Sequence, residues 1–146
     1  MGANTAGDPG RILERLQRAM NAHDIEGFLA NFHDDYSSEQ PAHPERAFRG
    51  RAQVQENWAS MFRELPDFRA VLIRSVVDGD TVWAEWAWQG TRRDGSRVEM
   101  SGVTIFGVRE GRMAWGRLYM EIVATGEGDI REAMKRVTIG SPPERD

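Results

Sequence analysis

The stretch that decides the fold is VWAEWAWQG, residues 82–90, which holds three of the five tryptophans in this chain of 146 residues. Successive side chains of a β-strand point to opposite faces. In a strand, Trp86 and Trp88 would therefore share one face, while Trp83 and Glu85 would share the other. The pattern predicts a strand with an aromatic inner wall and a mixed outer surface.

The period of two extends through most of the second half of the chain. Three polar turn signals interrupt it, namely DGD at 78–80, RDGS at 93–96 and REGR at 109–112. Short turns of this kind join neighbouring antiparallel strands. The sequence therefore predicts a four-stranded antiparallel meander over residues 68–77, 81–91, 97–108 and 113–123.

Apolar residues at helical spacing predict three helices before the meander and one after it. Asp8 and Pro9 are typical of a helix start, and Asp24 is typical of the cap of a second, shorter helix that extends to Phe32. The polar, proline-containing segment 33–50 predicts a short strand at 36–39 and then an irregular loop. The other two helices are predicted over residues 54–65 and after a cap at Asp129.

The composition is that of one globular domain, with 40% hydrophobic and 29% charged residues. A net charge of -4 argues against nucleic acid as a partner, because such proteins need a concentrated cationic face. Without cysteine, disulfides and zinc-thiolate sites are excluded. No signal peptide or membrane-spanning run is present, so a cytoplasmic protein without membrane contact is expected. The predicted organisation is a flexible N-terminus (1–8), a folded domain (9–124), a C-terminal helix (125–139) and a disordered tail (140–146).

The last predicted strand also separates two environments. One face is small or apolar and is predicted to lie under the helices; it consists of Ala114, Gly116, Leu118, Met120 and Ile122. The opposite face mixes aromatic residues, arginine and carboxylate, a composition enriched at protein interfaces. We expect a homodimer through this face, in which Arg117 pairs with Glu85 or Glu121. The predicted interface residues are Trp83, Glu85, Trp115, Arg117, Tyr119 and Glu121.

An alternative remains for the aromatic residues of that face. Trp115 and Tyr119 could instead pack under the C-terminal helix or the N-terminal arm of the same chain.

The order of elements resembles the nuclear-transport-factor-2-like cone. This α+β barrel is a curved, mostly antiparallel sheet wrapped around helices, with a pocket inside. NAHDIEGFLANFHDDYSSEQP, residues 21–41, and GVTIFGVREGRMAWGRLYMEIV, residues 102–123, are similar to segments of its bacterial SnoaL-like members. The resemblance covers about residues 10–124 and implies the fold more strongly than the chemistry, because this scaffold hosts many functions.

The same resemblance implies that the catalytic groups of two related enzyme classes are absent. The catalytic base of ketosteroid isomerases falls at Gln40, which cannot take a proton, and their oxyanion-hole tyrosine falls at Leu16. Their neutral acid falls at Val103 or Thr104. The arginine and two aspartates of limonene-epoxide hydrolases fall at Trp86, Trp88 and Leu118.

The leading hypothesis is a pocket protein that binds a small hydrophobic or aromatic metabolite and uses no cofactor or metal. Glu39 lies where the epoxide hydrolases have a water-orienting asparagine. Buried there with a raised pKa, Glu39 could act as a base, and His43 is the other acid-base candidate. Alternatively, Glu39 is exposed on an edge strand and His43 is held between two prolines by solvent contacts. The expected reactions are cyclisation, isomerisation or hydration. The predicted ligand-binding residues are Tyr36, Gln40, Trp58, Met61, Trp86, Trp88, Thr104, Leu118 and Met120.

Two other hypotheses remain open at this stage. The protein could be a ligand-binding or accessory protein without chemistry of its own. Alternatively, side chains could fill the cone as a solid core, so that only the outer face of the sheet is functional.

Overall fold

Four α-helices and a six-stranded sheet make up the part of the chain that the computed structural model describes, residues 8–126 and 128–140. The predictions of a flexible N-terminus and a disordered tail therefore fall mostly outside the described residues. In chain order, the helices are α1 (Arg11–Ala22), α2 (Ile25–Leu29), α3 (Arg51–Glu64) and α4 (Ile130–Thr138). The strands are β1 (Phe32–Glu39), β2 (Phe48–Arg49), β3 (Arg69–Asp78), β4 (Thr81–Thr91), β5 (Arg97–Arg109) and β6 (Arg112–Ile122).

The sheet has the order β2-β1-β6-β5-β4-β3. Strands β3 to β6 form the predicted antiparallel meander, and β1 joins it by pairing in parallel with β6. Register shifts in β3 and at the β5–β6 pairing bend the sheet. The α+β fold expected from the sequence is confirmed.

The two faces of β4 differ as the strand period predicts. Trp86 and Trp88 are 1% and 6% exposed, whereas Trp83 on the opposite face is 46% exposed. The inner face packs with α1, α2 and α3 in one hydrophobic core. The helices therefore cover the aromatic wall and separate it from solvent.

The prediction for residues 32–50 is wrong in two respects. Phe32, predicted in α2, begins β1, so this strand is four residues longer than expected. The helix ends earlier because the Asn31 side chain donates to the carbonyl groups of Gly27 and Phe28, while its backbone carbonyl accepts from Met113 of β6. The predicted irregular loop contains a 3-10 helix, Pro44–Arg46, and the short strand β2, which pairs with β1.

The predicted inner face of β6 is also corrected at both ends. The register shift between Gly107 and Val108 places Met113, rather than Ala114, in the core, where Met113 is 0% exposed. Ile122 at the other end of the strand is exposed. An alternating pattern predicts faces only while the pairing is regular, and a bulge shifts every residue beyond it.

The helix caps follow the sequence in part. Asp129 caps α4 by accepting from the backbone N–H groups of Arg131 and Glu132, as predicted. Asp8 accepts from the N–H of Gly10, and α1 begins at Arg11, two residues later than Pro9. Within residues 8–126 and 128–140, no helix has both the length and the apolar character needed to cross a membrane.

Candidate ligand cavity

A partly open cavity lies between the inner face of the sheet and helices α1 to α3. Its volume, measured as the space open to the centre of a water molecule, is about 50 Å³. A single water needs about 10–15 Å³ on this measure, so the cavity suits a molecule of a few non-hydrogen atoms. The lining is almost wholly apolar and consists of Leu16, Met20, Phe28, Phe32, Tyr36, Val54, Trp58, Trp86, Trp88, Thr104, Phe106, Met113 and Leu118.

Aromatic rings form one wall of this cavity. The ring of Trp58 on α3 meets Trp88 edge-on, with centroids 5.4 Å apart and planes at 77°. Phe28 packs on the other side of Trp58 at 4.6 Å, and Trp86 lies 6.4 Å from Trp88. Tilted and edge-to-face pairs at these distances are favourable and hold the rings in place. The interior is thus largely filled, and what remains open is small and has defined walls.

Besides the Trp58 N–H, the lining has three polar features, namely the hydrogen-bonded pair of Trp86 and Thr104, the Trp88 N–H and the Tyr36 hydroxyl. The Trp86 indole N–H donates to the Thr104 hydroxyl at 2.9 Å. The Trp88 indole N–H is also buried, yet it has no hydrogen-bond partner among the described residues. The third polar group is the Tyr36 hydroxyl. No charged residue lies among the residues that line the cavity.

Tyr36 is held as a neutral hydrogen-bond donor. Burial raises the pKa of Tyr36 to about 12, and the Ser38 hydroxyl acts weakly in the opposite direction. The phenol therefore stays protonated throughout the physiological pH range. Gly116 on β6 makes room for it, because a Cβ atom at this position would overlap the Tyr36 hydroxyl.

The structure places six of the nine predicted ligand-binding residues in the cavity wall and three elsewhere. Met120 is buried in the core without lining the cavity. Met61 faces a separate, open depression beside α3, and Gln40 accepts a hydrogen bond from Arg46 on the surface. The six that line the cavity are Tyr36, Trp58, Trp86, Trp88, Thr104 and Leu118.

Glu39 and His43 do not face the cavity, which agrees with the alternative of an exposed Glu39 and not with a buried carboxylate at this position. Tyr36 and Ser38 point inward from β1, so alternation turns Glu39 to the solvent side, where it lies 3.7 Å from Arg117. His43 bonds Glu121 at 2.7 Å, also on the outside. The two acid-base candidates are thus separated from the apolar interior by the sheet.

The outer sheet face comprises the outward side chains of β4 and β6: Trp83, Glu85, Trp115, Arg117, Tyr119 and Glu121. Trp83 and Tyr119 are 46% and 42% exposed. Trp115 lies flat across Gly107, where a Cβ atom would overlap its indole, and the Arg117 guanidinium lies 5.8 Å from the centre of that ring. The apolar side chains of the C-terminal helix are themselves exposed, so this helix does not cover Tyr119.

The ion pairs of the outer sheet face differ from the expected ones. Glu85 pairs with Arg74 of the adjacent strand at 2.9 Å, and Glu121 pairs with His43. Arg117, the expected partner of both glutamates, lies beside Glu39 instead. Strand alternation predicted the face correctly, but it cannot predict which neighbouring strand supplies the partner.

The sequence reasoning missed several residues that line the cavity. Met113 was missed because of the bulge, and Phe106 lies directly opposite Val82 on the inner face of the next strand. Leu16, Met20 and Val54 belong to apolar helical stripes. Such stripes identify the core but cannot separate cavity-lining residues from fully packed ones.

Comparison with known proteins gives a family and a fold. The family model described as a SnoaL-like domain matches residues 13–115. Among curated proteins, none matches the chain significantly by sequence.

Solved structures of the same fold share less than a quarter of their residues with this chain. IdmH from Streptomyces antibioticus, a candidate polyketide cyclase, is 22% identical with a TM-score of 0.68, covering 78% of this chain and 92% of its own. The epoxide hydrolase/cyclase-like enzyme SalBIII, which has a role in pyran ring formation in the polyether salinomycin, is 19% identical with a TM-score of 0.68. The match covers 77% of this chain and 90% of SalBIII. Rv0760c from Mycobacterium tuberculosis, solved with estradiol-17β-hemisuccinate, is 19% identical with a TM-score of 0.67, covering 76% and 92%.

Proposed function

This chain belongs to the SnoaL-like domain family, and from that premise we propose that it binds a small, uncharged, mainly apolar molecule in the cavity behind Trp86 and Trp88. The observation that carries the proposal is the lining itself, in which aromatic rings surround an open space without a charged group. Small-molecule sites are typically concave, apolar and equipped with a few placed polar groups. A neighbour of this fold was solved with a steroid ester, which supports an apolar ring as the general kind of ligand.

The cavity is too small for a steroid, and this limits the ligand. With about 50 Å³ available, a compact molecule such as a five- or six-membered ring fits the space better than a fused ring system. A larger ligand would have to displace Trp58 or other packed side chains. Displacing tightly packed rings is costly, because their contacts are lost.

The chemistry of the lining favours binding over proton abstraction. The only oxygen atoms on its side chains belong to Tyr36 and Thr104, and both are neutral hydroxyl groups. A general base must reach the proton that it removes, either directly or through one water. Glu39 and His43 lie across the sheet from the cavity, so a reaction inside it would depend on hydrogen-bond donation, with Tyr36 as the strongest donor.

A bulky substitution in the wall tests the proposed site. The probe is methylenecyclopentane, an uncharged five-membered ring. We expect Leu118→Phe to fill part of the cavity and to weaken binding of this probe at least about tenfold, since overpacking leaves no room for a ligand. Binding is measured by titration in ¹⁵N-labelled protein, following the five indole N–H resonances.

The controls separate the cavity from the acid-base candidates on the outside. Glu39→Gln and His43→Ala should bind the same probe with unchanged affinity, because neither side chain contacts the cavity. Weaker binding in either control, or unchanged binding in Leu118→Phe, would contradict this placement of the site.

We further propose that two copies associate through the outer sheet face. Two exposed aromatic residues, Trp83 on β4 and Tyr119 on β6, lie on either side of β5, and exposed valines of β3 extend the apolar area. Aromatic and arginine side chains are the usual anchors of protein interfaces. The charged pairs at the edge would remain solvated and would contribute little to affinity.

We expect Trp83→Arg to weaken this dimer about thirtyfold or more, because a central aromatic anchor contributes about 2 kcal/mol. Sedimentation over a range of concentrations measures the change. Gln55→Arg adds the same charge on an exposed position of α3 and serves as the matched control. A parent protein that sediments as a monomer at all concentrations would overturn the proposed dimer and leave the cavity unaffected.

A further inference from the structure

The indole N–H groups of the two inner tryptophans of β4 differ in their hydrogen-bond partners. Trp86 and Trp88 are both more than nine-tenths buried, and both line the cavity. The Trp86 N–H has an acceptor in Thr104, whereas the Trp88 N–H has none among the described residues. Buried polar groups in folded proteins are nearly always paired, so an unpaired donor on a residue that lines the cavity needs an explanation.

No acceptor for the Trp88 N–H is found among the described residues. Its ring neighbours are Trp58, Phe68 and Trp86, none of which carries an oxygen atom on its side chain. The Thr104 oxygen is already engaged by the other indole. A bound molecule can therefore supply the acceptor that the described residues do not.

We infer that the ligand of this cavity carries an uncharged oxygen acceptor, as in a ketone, aldehyde, ester or ether, and that this oxygen accepts the Trp88 indole N–H. The inference rests on the proposed function and specifies the chemical class of its ligand. It makes Trp88 a specificity-determining residue and gives the aromatic wall a polar contact as well as a stacking surface.

The remaining polar groups of the lining favour the same class. Tyr36 is a protonated phenol in the cavity lining and can donate a hydrogen bond to a ligand oxygen. A carboxylate or ammonium group would lose its hydration here without gaining an opposite charge, because no charged residue lines the cavity. An apolar molecule with a carbonyl or ether oxygen loses far less hydration and satisfies the free donor.

Two probes of equal size test the inference. Cyclopentanone and methylenecyclopentane differ only in whether the ring carries C=O or C=CH₂, so their fit to the cavity is nearly identical. Trp88→Phe removes the N–H and keeps an aromatic ring, and Trp83→Phe makes the same change on the outer sheet face as a matched control.

The measured quantity is the ratio of the two dissociation constants in each protein. Relative to the parent, Trp88→Phe should lower the preference for the ketone about tenfold, whereas Trp83→Phe should leave it unchanged. Using this ratio cancels any change in cavity size, because size affects both probes alike. In the parent, only the ketone should move the Trp88 indole proton resonance downfield, a readout that needs no variant.

Two other outcomes would distinguish a failure of the Trp88 inference from a failure of the proposed function. Binding of both probes with the same preference in the parent and in Trp88→Phe, and no ketone-specific shift, would overturn the inference while the cavity remains the site. Failure of both probes to bind the parent would overturn the proposed function and the inference together.

Discussion

Trp86→Ala is expected to lower the free energy of unfolding by about 3–5 kcal/mol, the range measured when large aromatic residues are truncated in protein cores. Trp86 is 1% exposed and is the largest fully buried side chain of the described residues. The substitution removes its contacts with Trp88 and leaves the buried Thr104 hydroxyl without the indole donor. Few surrounding groups can move into the space, because the sheet fixes the neighbouring backbone.

Denaturant unfolding of the parent and of two variants measures this effect. Trp86→Phe keeps much of the ring volume and is expected to cost roughly 1–2 kcal/mol, through the lost hydrogen bond and a smaller void. The difference between the alanine and phenylalanine variants reports the packing of the wall. A loss below about 1 kcal/mol in Trp86→Ala would mean that this side chain does not pack in the interior as described.

Gly102→Ala is expected to destabilise the protein by at least about 2 kcal/mol, since backbone strain and overpacking each cost roughly 1–3 kcal/mol. Gly102 pairs with Met120 where β5 meets β6, and its φ of 155° is one that side chains rarely adopt. A Cβ atom here would overlap the backbone carbonyl of Tyr119. Backbone cannot rotate away as a side chain can, so the two strands would have to separate locally.

Gly95→Ala is the control that separates conformational strain from the overlap. Gly95 also has a positive φ, 87°, but a Cβ atom at this turn would meet no neighbour within 4 Å. We expect only the strain, about 1 kcal/mol, in thermal or denaturant unfolding. Equal losses at the two positions would show that the close approach of β5 and β6 contributes nothing.

The fold followed from the sequence because its signals were local and repeated. Alternation in residues 82–90 separated Trp86 from Trp83, and polar turns divided the strands, so the meander required no knowledge of distant contacts. The errors arose where the chain departs from regular pairing. The bulge at Ala114 and the pairing of β2 with β1 depend on how two strands pair, which the pattern of a single strand cannot encode.

Several residues of the cavity wall could be predicted from the sequence, but the polar groups available for chemistry could not. Trp86, Trp88 and Leu118 lie in the cavity where the resemblance to related enzymes implied inward positions, and of the two alternatives it left open, Thr104 is the one in the lining. Glu39 was assigned to the interior by its place in a motif, although the parity of β1 turns it outward beside the buried Ser38. The unpaired Trp88 N–H could not be predicted, because the absence of an acceptor depends on all the surrounding side chains.

These placements change the expected chemistry of the protein. A carboxylate inside the cone would suit proton abstraction, whereas neutral N–H and O–H donors in an apolar space suit recognition of an oxygen atom. The polar side chains of the lining all fit the second case. The positions at which the resemblance implied charged catalysts in related enzymes carry, in this chain, residues that line the cavity.

We propose that a small molecule binds in the space behind Trp86 and Trp88. The most direct test of this claim is a titration of ¹⁵N-labelled protein with cyclopentanone, after each of the five indole N–H resonances has been assigned by a Trp→Phe variant. We expect the indole N–H resonances of Trp58, Trp86 and Trp88 to shift, and those of Trp83 and Trp115 to stay unchanged. Shifts confined to Trp83 and Trp115 would place the ligand on the outer sheet face and contradict the claim.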